Sequence, residues 1–463
     1  MPDLLNRFPA KLLDPIKRIA GEADAAGGRA IIVGGSVRDA LLKEEAKDVD
    51  LEISGLKPDT VRNLLSKHYG LDEYGKSFGV IKLKGLPIEV AMPRTENKVG
   101  TGHRGFDVNV DPHLPFPAAA ARRDFTINAI GLDPLSGKIH DPCKGRQDLE
   151  KGILRHVGPA FVEDPLRVLR GMHFVARLNL VPAPETVELC KTIGLESIPK
   201  ERILEEWKKL ILKGKKISLG LEFLKETNWL RFFPDLERLV DCPQDPEWHP
   251  EGDVWTHTLH CMDAYAERRI GDNWEDLIVG FAVLCHDLGK PLTTITDDNG
   301  RIRSPKHESI GEKPTLTFLE QLTDQKDFIE QVVPLVRRHL APFSYYRDGA
   351  SDSAIRRLAG KVGRIDRLVR VAEADMAGRP PKSKEFPAGE WLLERAEELR
   401  VKDAAPQRIV LGRHLIERGM QPGPSFSPIL EECFEAQLDG AFNDLDGGLA
   451  HLDLILKRIS SDV

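Results

Sequence analysis

The chain has 463 residues, which at about 150 residues per domain predicts roughly three domains. Its 41% hydrophobic and 30% charged residues indicate folded cores, and its net charge of −7 argues against a uniformly basic nucleic-acid binder. The apolar run at residues 277–285 is too short to cross a bilayer, and the six cysteines form no Cys-x-x-Cys pair. The N-terminal segment lacks the apolar core of a secretory signal, so we expect a cytoplasmic protein with no membrane association and reduced thiols.

In chain order, residues 29–150 alternate short β-rich runs with helical segments and Gly/Pro turns, which predicts a small α/β sheet. The expected strands cover residues 30–33, 49–53, 80–84, 88–92 and 126–132. Beyond residue 150 the apolar spacing is helical and predicts an all-helical remainder. Basic stretches at residues 200–216 and 361–370 fit either solvated helix faces or a polyanion-binding surface.

A strand that runs through two glycines into a helix is predicted at residues 31–42, IIVGGSVRDALL. Gly34 and Gly35 would let a ligand approach the backbone, and the start of the helix offers free N–H groups to an anion, with Arg38 as a charged clamp. A Gly-Gly turn is more often only a tight turn, and this segment alone leaves both interpretations open.

Two carboxylates, Asp48 and Asp50, lie two residues apart on the next predicted strand and therefore project from one face. A bridging divalent cation would relieve their repulsion, and carboxylate oxygens suit Mg²⁺ that also holds substrate phosphates. Glu89 lies among apolar neighbours, where a lone carboxylate is costly, and we expect it to face or orient the same metals. The alternative is an edge strand with solvated charges. With two Mg²⁺ ions, the predicted reaction is nucleotidyl transfer.

These motifs resemble the head of class II CCA-adding tRNA nucleotidyltransferases, which have Gly-Gly-x-Val-Arg-Asp followed by Asp-x-Asp. Residues 122–130, RRDFTINAI, resemble the family's second motif. The resemblance implies that Arg123 contacts the triphosphate and that Asp124 and Asn128 contact the ribose. Residues 94–106 resemble the flexible loop that helps to switch from C to A addition; a mobile glycine-rich loop is the alternative interpretation.

Residues 163–170, EDPLRVLR, resemble the amino-acid template of these enzymes, with Asp164 and Arg167 one helical turn apart. A carboxylate acceptor beside a guanidinium donor matches the amine and ring nitrogen that C and A share, whereas U and G offer the inverse pattern. An ordinary helix salt bridge is the alternative. Arg170 is assigned to the nucleotide phosphates. Three residues later, His173 stands where the family usually has another arginine, and its imidazole would hold a phosphate less strongly.

A second group of residues resembles the HD phosphohydrolase superfamily. Residues 284–290, LCHDLGK, are preceded by Thr-His-Thr and followed by Lys-His-Glu. A single His-Asp pair arises by chance, but here imidazoles and carboxylates recur at matching places and suit a transition metal such as Ni, Mn, Fe or Zn. The implied metal ligands are His257, His286, Asp287, His307, His339 and Asp375. His249 and His260 are interpreted as structural.

Together the two resemblances have the order found in bacterial CCA-adding enzymes that carry an HD domain. They imply an α+β fold: a nucleotidyltransferase head with a small mixed or antiparallel β-sheet (1–150), then an all-helical neck with the template (151–235), an HD domain (236–380) and a helical tail that contacts tRNA (381–463). Residues 411–424 and 437–440 resemble the C-terminal region of such enzymes.

The function implied is stepwise addition of C, C and A to the tRNA 3′ end from CTP and ATP, with a metal-dependent phosphohydrolase activity in the HD domain. The expected partners are tRNA, CTP and ATP, and the protein would be a monomer or a homodimer. Alternatives are a specialised A-adding, CC-adding or poly(A)-adding enzyme, or an HD phosphohydrolase or RNA-binding module with a degenerate head.

Overall fold

The computed structural model describes residues 4–46, 48–73, 80–98, 106–195, 198–380 and 385–461. The chain divides into two compact units, Met1–Phe232 and Phe233–Val463. Among these residues, no helix is long and apolar enough to cross a bilayer. The further domain boundaries predicted at residues 150 and 380, within these two units, stay predictions.

The first unit carries a mixed β-sheet. Within the described residues seven strands pair in the order β3-β4-β5-β2-β1-β8-β9, and β2 and β5 form its parallel pair. Two shorter sheets pair β6 with β7 and β10 with β11. The strands are β1 Arg29–Val33, β2 Val49–Ser54, β3 Leu71–Glu73, β4 Val80–Leu83, β5 Ile88–Ala91, β6 Arg94–Lys98, β7 Phe106–Val110, β8 Gly131–Leu132, β9 Ile139–His140, β10 Ile153–Leu154 and β11 Val181–Pro182.

Helices cover one face of this sheet and continue beyond it. They are α1 Ala10–Ala25, α2 Gly35–Leu41, α3 Pro58–Ser66, α4 Phe116–Ala120, α5 Gly145–Lys151, α6 Leu166–Leu178, α7 Pro184–Lys191, α8 Lys200–Lys213 and α9 Ile217–Glu226. The buried stripe of α1 packs in the same core as Val49, Leu51 and Ile53 of β2. Because strand side chains alternate, this burial turns Asp50 and Glu52 to the opposite face.

The second unit is mainly helical. Its elements are α10 Pro234–Glu237, α11 Val254–Glu267, α12 Asn273–Cys285, α13 Lys290–Thr293, β12 Ile295–Thr296, β13 Ile302–Arg303, α14 His307–Ile310, α15 Glu312–Leu322, α16 Lys326–Arg338, α17 Ala341–Asp348, α18 Asp352–Val362, α19 Ile365–Ala377, α20 Pro387–Glu398, α21 Gly412–Ile416, α22 Phe426–Leu438 and α23 Leu445–Ser461. The apolar helix α12 is buried all round from Asp276 to Cys285, while the last three helices share a separate smaller core.

The predicted α+β class and mixed sheet are confirmed, with two local corrections. Residues 126–132 were predicted as a strand, but Thr126–Asn128 is a 3-10 helix and only Gly131–Leu132 pairs in the sheet. Side-chain hydrogen bonds from Thr126 to Asp148 and from Asn128 to Asp124 stabilise the turn against the β preference of the sequence. The remainder beyond residue 150 also contains the four two-residue strands β10 to β13.

The basic stretch at residues 361–370 lies in the second unit and is largely engaged within the protein. Arg364 and Arg367 both contact Glu275, and Arg370 contacts Asp276. Arg367 is buried. These ion pairs favour a structural interpretation of this stretch over a free polyanion-binding surface.

Candidate active sites

A cavity of about 390 Å³ opens in the first unit between the polar face of the sheet and helices α6 and α8. One wall presents carboxylates from β2 and β5, and the other presents arginines. Its charged lining residues are Asp50, Glu52, Glu89, Arg94, Arg122, Arg123, Asp124, Asp164, Arg167, Arg170 and Arg202. Five of the ten residues predicted to contact the nucleotide thus meet in this cavity: Arg123, Asp124, Asp164, Arg167 and Arg170.

The carboxylate wall follows from strand register. Asp50 and Glu89 are direct partners in the parallel pair of β2 and β5, so their side chains leave the same face side by side. Lys82 on β4 contacts Glu89 at 2.6 Å. Partial enclosure raises the pKa of Asp50; Arg123 opposes this rise, and the charges of Glu89 and Asp48 add to it.

Asp48 is exposed immediately before β2 and lies near enough to Asp50 to disfavour its charge. Gly34 approaches the same carboxylate from β1. Its φ is +76°, and a Cβ added there would lie 3.1 Å from Asp50 Oδ2. Glycine is therefore needed at this position both for its backbone conformation and for the space beside Asp50. Gly35 begins α2, where the Arg38 side chain lies against it.

From the cavity lining into the core, four side chains form a continuous chain of hydrogen bonds. Arg38 donates to Asn128 Oδ1 at 2.5 Å, Asn128 donates to Asp124 Oδ1 at 3.0 Å, and Arg170 Nε donates to Asp124 Oδ2 at 2.7 Å. Burial would raise the pKa of Asp124, but Arg170 and these hydrogen bonds lower it to about 2. Arg38 and Asn128 are buried in this chain, and the structure does not bring Arg38 to the cavity lining.

Asp164 and Arg167, the predicted template pair, both line the cavity. Asp164 Oδ2 lies 3.2 Å from Arg202 Nη2 of α8, and Asp164 Oδ1 caps the backbone at the start of α6. Arg167 donates to the carbonyl oxygens of Ala160 and Arg122, each at 2.7 Å. Both side chains are thus held by groups outside the pair, which distinguishes them from a simple salt bridge along one helix.

His173 was expected near the phosphates, but the structure buries it between α6 and α8, away from the cavity lining. Its Nε2 lies 3.1 Å from Glu206 Oε2. Burial lowers the pKa of His173 to about 4, although Glu206 favours protonation, so the ring is neutral near pH 7. The predicted flexible loop, residues 94–106, is described only in part: its first five residues form strand β6, which pairs with β7, and residues 99–105, Arg104 among them, lie outside the described residues.

In the second unit, all six predicted metal ligands come together at or near the ends of five helices, α11, α12, α14, α16 and α19. His257, His286 and Asp375 form one group, and Asp287, His307 and His339 form another. Asp287 lies between them: Oδ2 is 3.2 Å from His286 Nε2, and Oδ1 is 3.3 Å from His307 Nε2. It is 1% exposed, and neither oxygen accepts a hydrogen bond. Imidazoles and buried carboxylates form a donor set that fits transition metals.

Neighbouring side chains orient this cluster. Glu251 accepts a hydrogen bond from His257 Nδ1 at 2.8 Å, which leaves Nε2 facing the cluster, as partners of metal-binding histidines commonly do. Lys290 contacts Asp287 at 2.7 Å, and Arg379 contacts Asp375 at 2.6 Å. Although burial disfavours charge, His286 and Lys290 hold the pKa of Asp287 well below its usual range.

A second cavity, of about 550 Å³, leads to this cluster. Its lining includes Asp287, His307, His339 and Asp375, and four cationic side chains accompany them: Lys290, Arg301, Arg303 and Arg379. Cations beside a candidate metal cluster suit an anionic phosphoester.

The sequence analysis missed several residues of both sites. Glu52 and Arg202 line the first cavity, while Glu251 and Cys261 adjoin the metal cluster. The spacing of Glu52 from Asp50 on β2 was a usable signal, because residues two apart on a strand share a face. Arg202 lies in the basic stretch at residues 200–216 and Cys261 lies one turn after His257, but only the fold associates these residues and Glu251 with the sites.

Residues 30–155 match the family described as Poly A polymerase head domain. The fold and cavity of the first unit accordingly define a nucleotidyltransferase head. Over 360 residues the chain is 39% identical to a multifunctional CCA protein of Xanthomonas campestris pv. campestris, covering 75% of this chain and 85% of the relative. A multifunctional CCA protein of Stenotrophomonas maltophilia is 36% identical over 377 residues, covering 78% and 89%. The chain belongs to this family of CCA-adding proteins.

Solved structures share the fold. A Bacillus stearothermophilus CCA-adding enzyme in complex with CTP has a TM-score of 0.65 at 24% identity, covering 97% of this chain and 99% of that chain. A Thermotoga maritima CCA-adding enzyme complexed with tRNA has a TM-score of 0.59 at 19% identity, covering 98% of both chains. Similarity of fold therefore extends over nearly the whole chain.

Proposed function

We propose that the protein adds C, C and A stepwise to the 3′ end of tRNA, using CTP and ATP without a nucleic-acid template. The observation that carries this proposal is the first cavity, which sets a carboxylate pair opposite several arginines and the Asp164 and Arg167 side chains. The related multifunctional CCA proteins, and the CCA-adding enzymes of similar fold in complex with CTP or tRNA, support it.

Asp48, Asp50 and Glu89 are the residues proposed to hold Mg²⁺. The close pairing of Asp50 with Glu89, together with the raised pKa of Asp50, indicates carboxylates that a divalent cation would stabilise. Bound Mg²⁺ supplies activation of the attacking 3′-hydroxyl and neutralisation of the leaving pyrophosphate. Glu89 also keeps its ion pair with Lys82, which fixes its position on the wall.

The arginine wall is proposed to bind the nucleotide. Arg123 and Arg170 face the cavity and offer planar donor groups that suit the triphosphate. Asp124, also in the lining, would accept a hydrogen bond from the ribose. Asn128 and Arg38 lie behind Asp124 and are hydrogen-bonded in the chain described above, so we assign them a positioning role.

Base selection is assigned to Asp164 and Arg167. A carboxylate and a guanidinium, both turned into the cavity, present one acceptor and one donor to a base edge. C and A complement this pattern, whereas U and G would place a carbonyl against Asp164. The contacts of Arg167 with two backbone carbonyls hold its fork in place before a nucleotide arrives.

The HD cluster is proposed to hydrolyse phosphoesters as a second activity. A transition metal such as Ni, Mn, Fe or Zn, held by His257, His286, Asp287, His307, His339 and Asp375, supplies activated water and charge stabilisation when bound. Lys290 and Arg379, each paired with a cluster carboxylate, lie in the lining where they can bind the phosphate oxygens. The helical tail at residues 381–463 is proposed to contact tRNA. We expect a monomer or a homodimer.

The decisive experiment uses labelled tRNAs that end at the discriminator base, at C or at CC, each incubated with CTP, ATP or both. We expect C, C and A on the first tRNA, C and A on the second, and A alone on the third. Addition that stops at CC, addition of A alone, or a homopolymer of A would instead identify one of the specialised enzymes. No incorporation under any condition would identify a degenerate head.

A further inference from the structure

We infer that Cys261 is a thiolate ligand of the metal centre in the second unit, next to His257, His286 and Asp375. The inference rests on the proposed metal binding by that cluster and adds to it a ligand that the HD motif does not contain. Cys261 is fully buried on α11, one turn after His257, so both side chains leave the same helix face.

The distances fit coordination of one ion. Cys261 Sγ lies 3.3 Å from His257 Nε2, which lies 3.0 Å from Asp375 Oδ1 and 3.4 Å from His286 Nε2. The ligand atoms of this group lie within 4.8 Å of one another. Four ligands at bond lengths of about 2.0–2.3 Å in a tetrahedron stand roughly 3.3–3.8 Å apart. The measured spacings of 3.0–3.4 Å lie at or just below this range, so these atoms can share one ion after small adjustments.

Two further features point to the same place. Asp287, directly beside the group, is buried, and although Lys290 contacts its Oδ2 at 2.7 Å, Oδ1 accepts no hydrogen bond and can bind a cation. Gly378, one turn after Asp375 at the end of α19, packs against Cys261: a Cβ there would lie 2.4 Å from Sγ. The glycine lets α19 approach closely enough for the thiol and the carboxylate of Asp375 to share one centre.

A thiolate changes the chemistry of the site. Sulfur ligands favour Zn²⁺ and Co²⁺ over hard ions such as Mn²⁺ and Mg²⁺, so this centre should discriminate more strongly than one built from imidazole and carboxylate alone. Binding releases the thiol proton to solvent as the metal–sulfur bond forms. The alternative is that Cys261 only fills space as a small buried hydrophobe.

The test is a Co²⁺ titration of the full-length protein after its metal has been removed with a chelator. We expect a sulfur-to-cobalt charge-transfer band in the near ultraviolet for the wild type, and loss of that band in C261S with retention of the visible d–d bands. C285S is the matched control, since Cys285 is equally buried beside His286 but lies outside the group, and it should keep the band. The affinity for Zn²⁺ relative to Mn²⁺ should fall at least tenfold in C261S.

The outcomes separate this inference from the proposed function. If Co²⁺ binds to the wild type with d–d bands but without charge transfer, or if C261S keeps the charge-transfer band, the assignment of Cys261 is overturned and the metal centre stands. If Co²⁺ does not bind at all, both the assignment of Cys261 and the proposed metal centre are overturned. If circular dichroism shows that C261S does not fold, the double variant C242S/C285S is measured instead. Retention of the charge-transfer band in this variant supports Cys261 as the ligand, and loss of the band overturns that assignment.

Discussion

Asp50 is the side chain on which the proposed metal binding of the first cavity depends most. It is the strand partner of Glu89, it lies beside Gly34, and the charge of Asp48 acts on it. Because it projects from the exposed face of β2, its removal should affect the reaction far more than the fold.

We therefore expect Asp50→Asn to lower nucleotide incorporation by about a hundred- to a thousand-fold, because the lost charge acts on developing phosphate charge in an enclosed site. The free energy of unfolding should change by less than about 0.5 kcal/mol. Single-turnover addition of A to tRNA ending in CC measures the rate, and Asp59→Asn, at an exposed ion pair, is the control. Incorporation at the wild-type rate would exclude Asp50 from the metal site.

Arg167 and Asp164 should determine which base is accepted. A hydrogen bond to a charged partner contributes about 1.5–3 kcal/mol, so Arg167→Ala should weaken selection of C and A over U and G by roughly ten- to a hundred-fold, and Asp164→Ala should act in the same direction. The measurement is competitive incorporation of all four nucleotides onto tRNA ending at the discriminator base. Arg62→Ala, at the surface, should leave the ratios unchanged. An equal loss of incorporation rate for all four nucleotides would show that Asp164 and Arg167 have only a structural role.

Sequence motifs predicted residues whose spacing is local, and for the second site the six residues predicted as ligands do lie together in the structure. Contacts between segments that are distant in the sequence were not predicted. Arg202 meets Asp164, and Glu206 meets His173, only because α8 packs on α6. The residues next to His173 in the sequence do not show that a buried glutamate lies beside its side chain. A phosphate contact was therefore expected for His173, whereas the structure has a neutral, buried ring there.

At the scale of elements, close backbone approach determines where the second site's ligands lie. Gly289, in the turn after Asp287, meets the start of α14, where a Cβ would lie 2.0 Å from the carbonyl oxygen of His307. Backbone cannot move aside as a flexible side chain can. The glycine of the HDLGK segment thus fixes the distance between the segment that carries Asp287 and the helix that carries His307.

Gly289→Ala should therefore separate His307 from Asp287 and destabilise the second unit by about 1–3 kcal/mol. Urea unfolding measures the stability, and the Zn²⁺ content after dialysis measures the site. Gly360→Ala in α18 is a matched control, because its added Cβ meets nothing within 4 Å and should stabilise the helix by about 0.5–1 kcal/mol. Equal stability and metal content in the two variants would show that the turn is not rigid.

Elements were predicted well where periodicity is strong, as in β2, and poorly where side-chain hydrogen bonds compete with it. Thr126 has high β propensity, yet its hydroxyl donates to Asp148 and the chain turns into a 3-10 helix. This hydrogen bond joins residues 22 positions apart, so no local sequence pattern can predict it.

For the whole molecule, the two cavities lie in separate compact units. The double change His286→Ala and Asp287→Ala should abolish metal-dependent hydrolysis of model phosphoesters while CCA addition stays within about twofold of the wild type, because no residue of the first cavity belongs to the second unit. Both activities are measured on the same preparation, with His451→Ala in the last helix as control. Loss of CCA addition in a folded double variant would show that the two sites depend on each other.

Carboxylates of β2 and β5 line one side of the first cavity, and arginines of α6, α8 and the turn after α4 line the other. Such a cavity has an electric field directed across it. A nucleoside triphosphate carries its charge at one end, so this field turns the molecule before any contact forms. Capture should then be sensitive to ionic strength while base preference is not, since dissolved salt screens charges at a distance more than touching groups. Measured from 0.05 to about 0.5 M salt, kcat/KM for CTP should fall, and the ratio of C to U incorporation should stay constant.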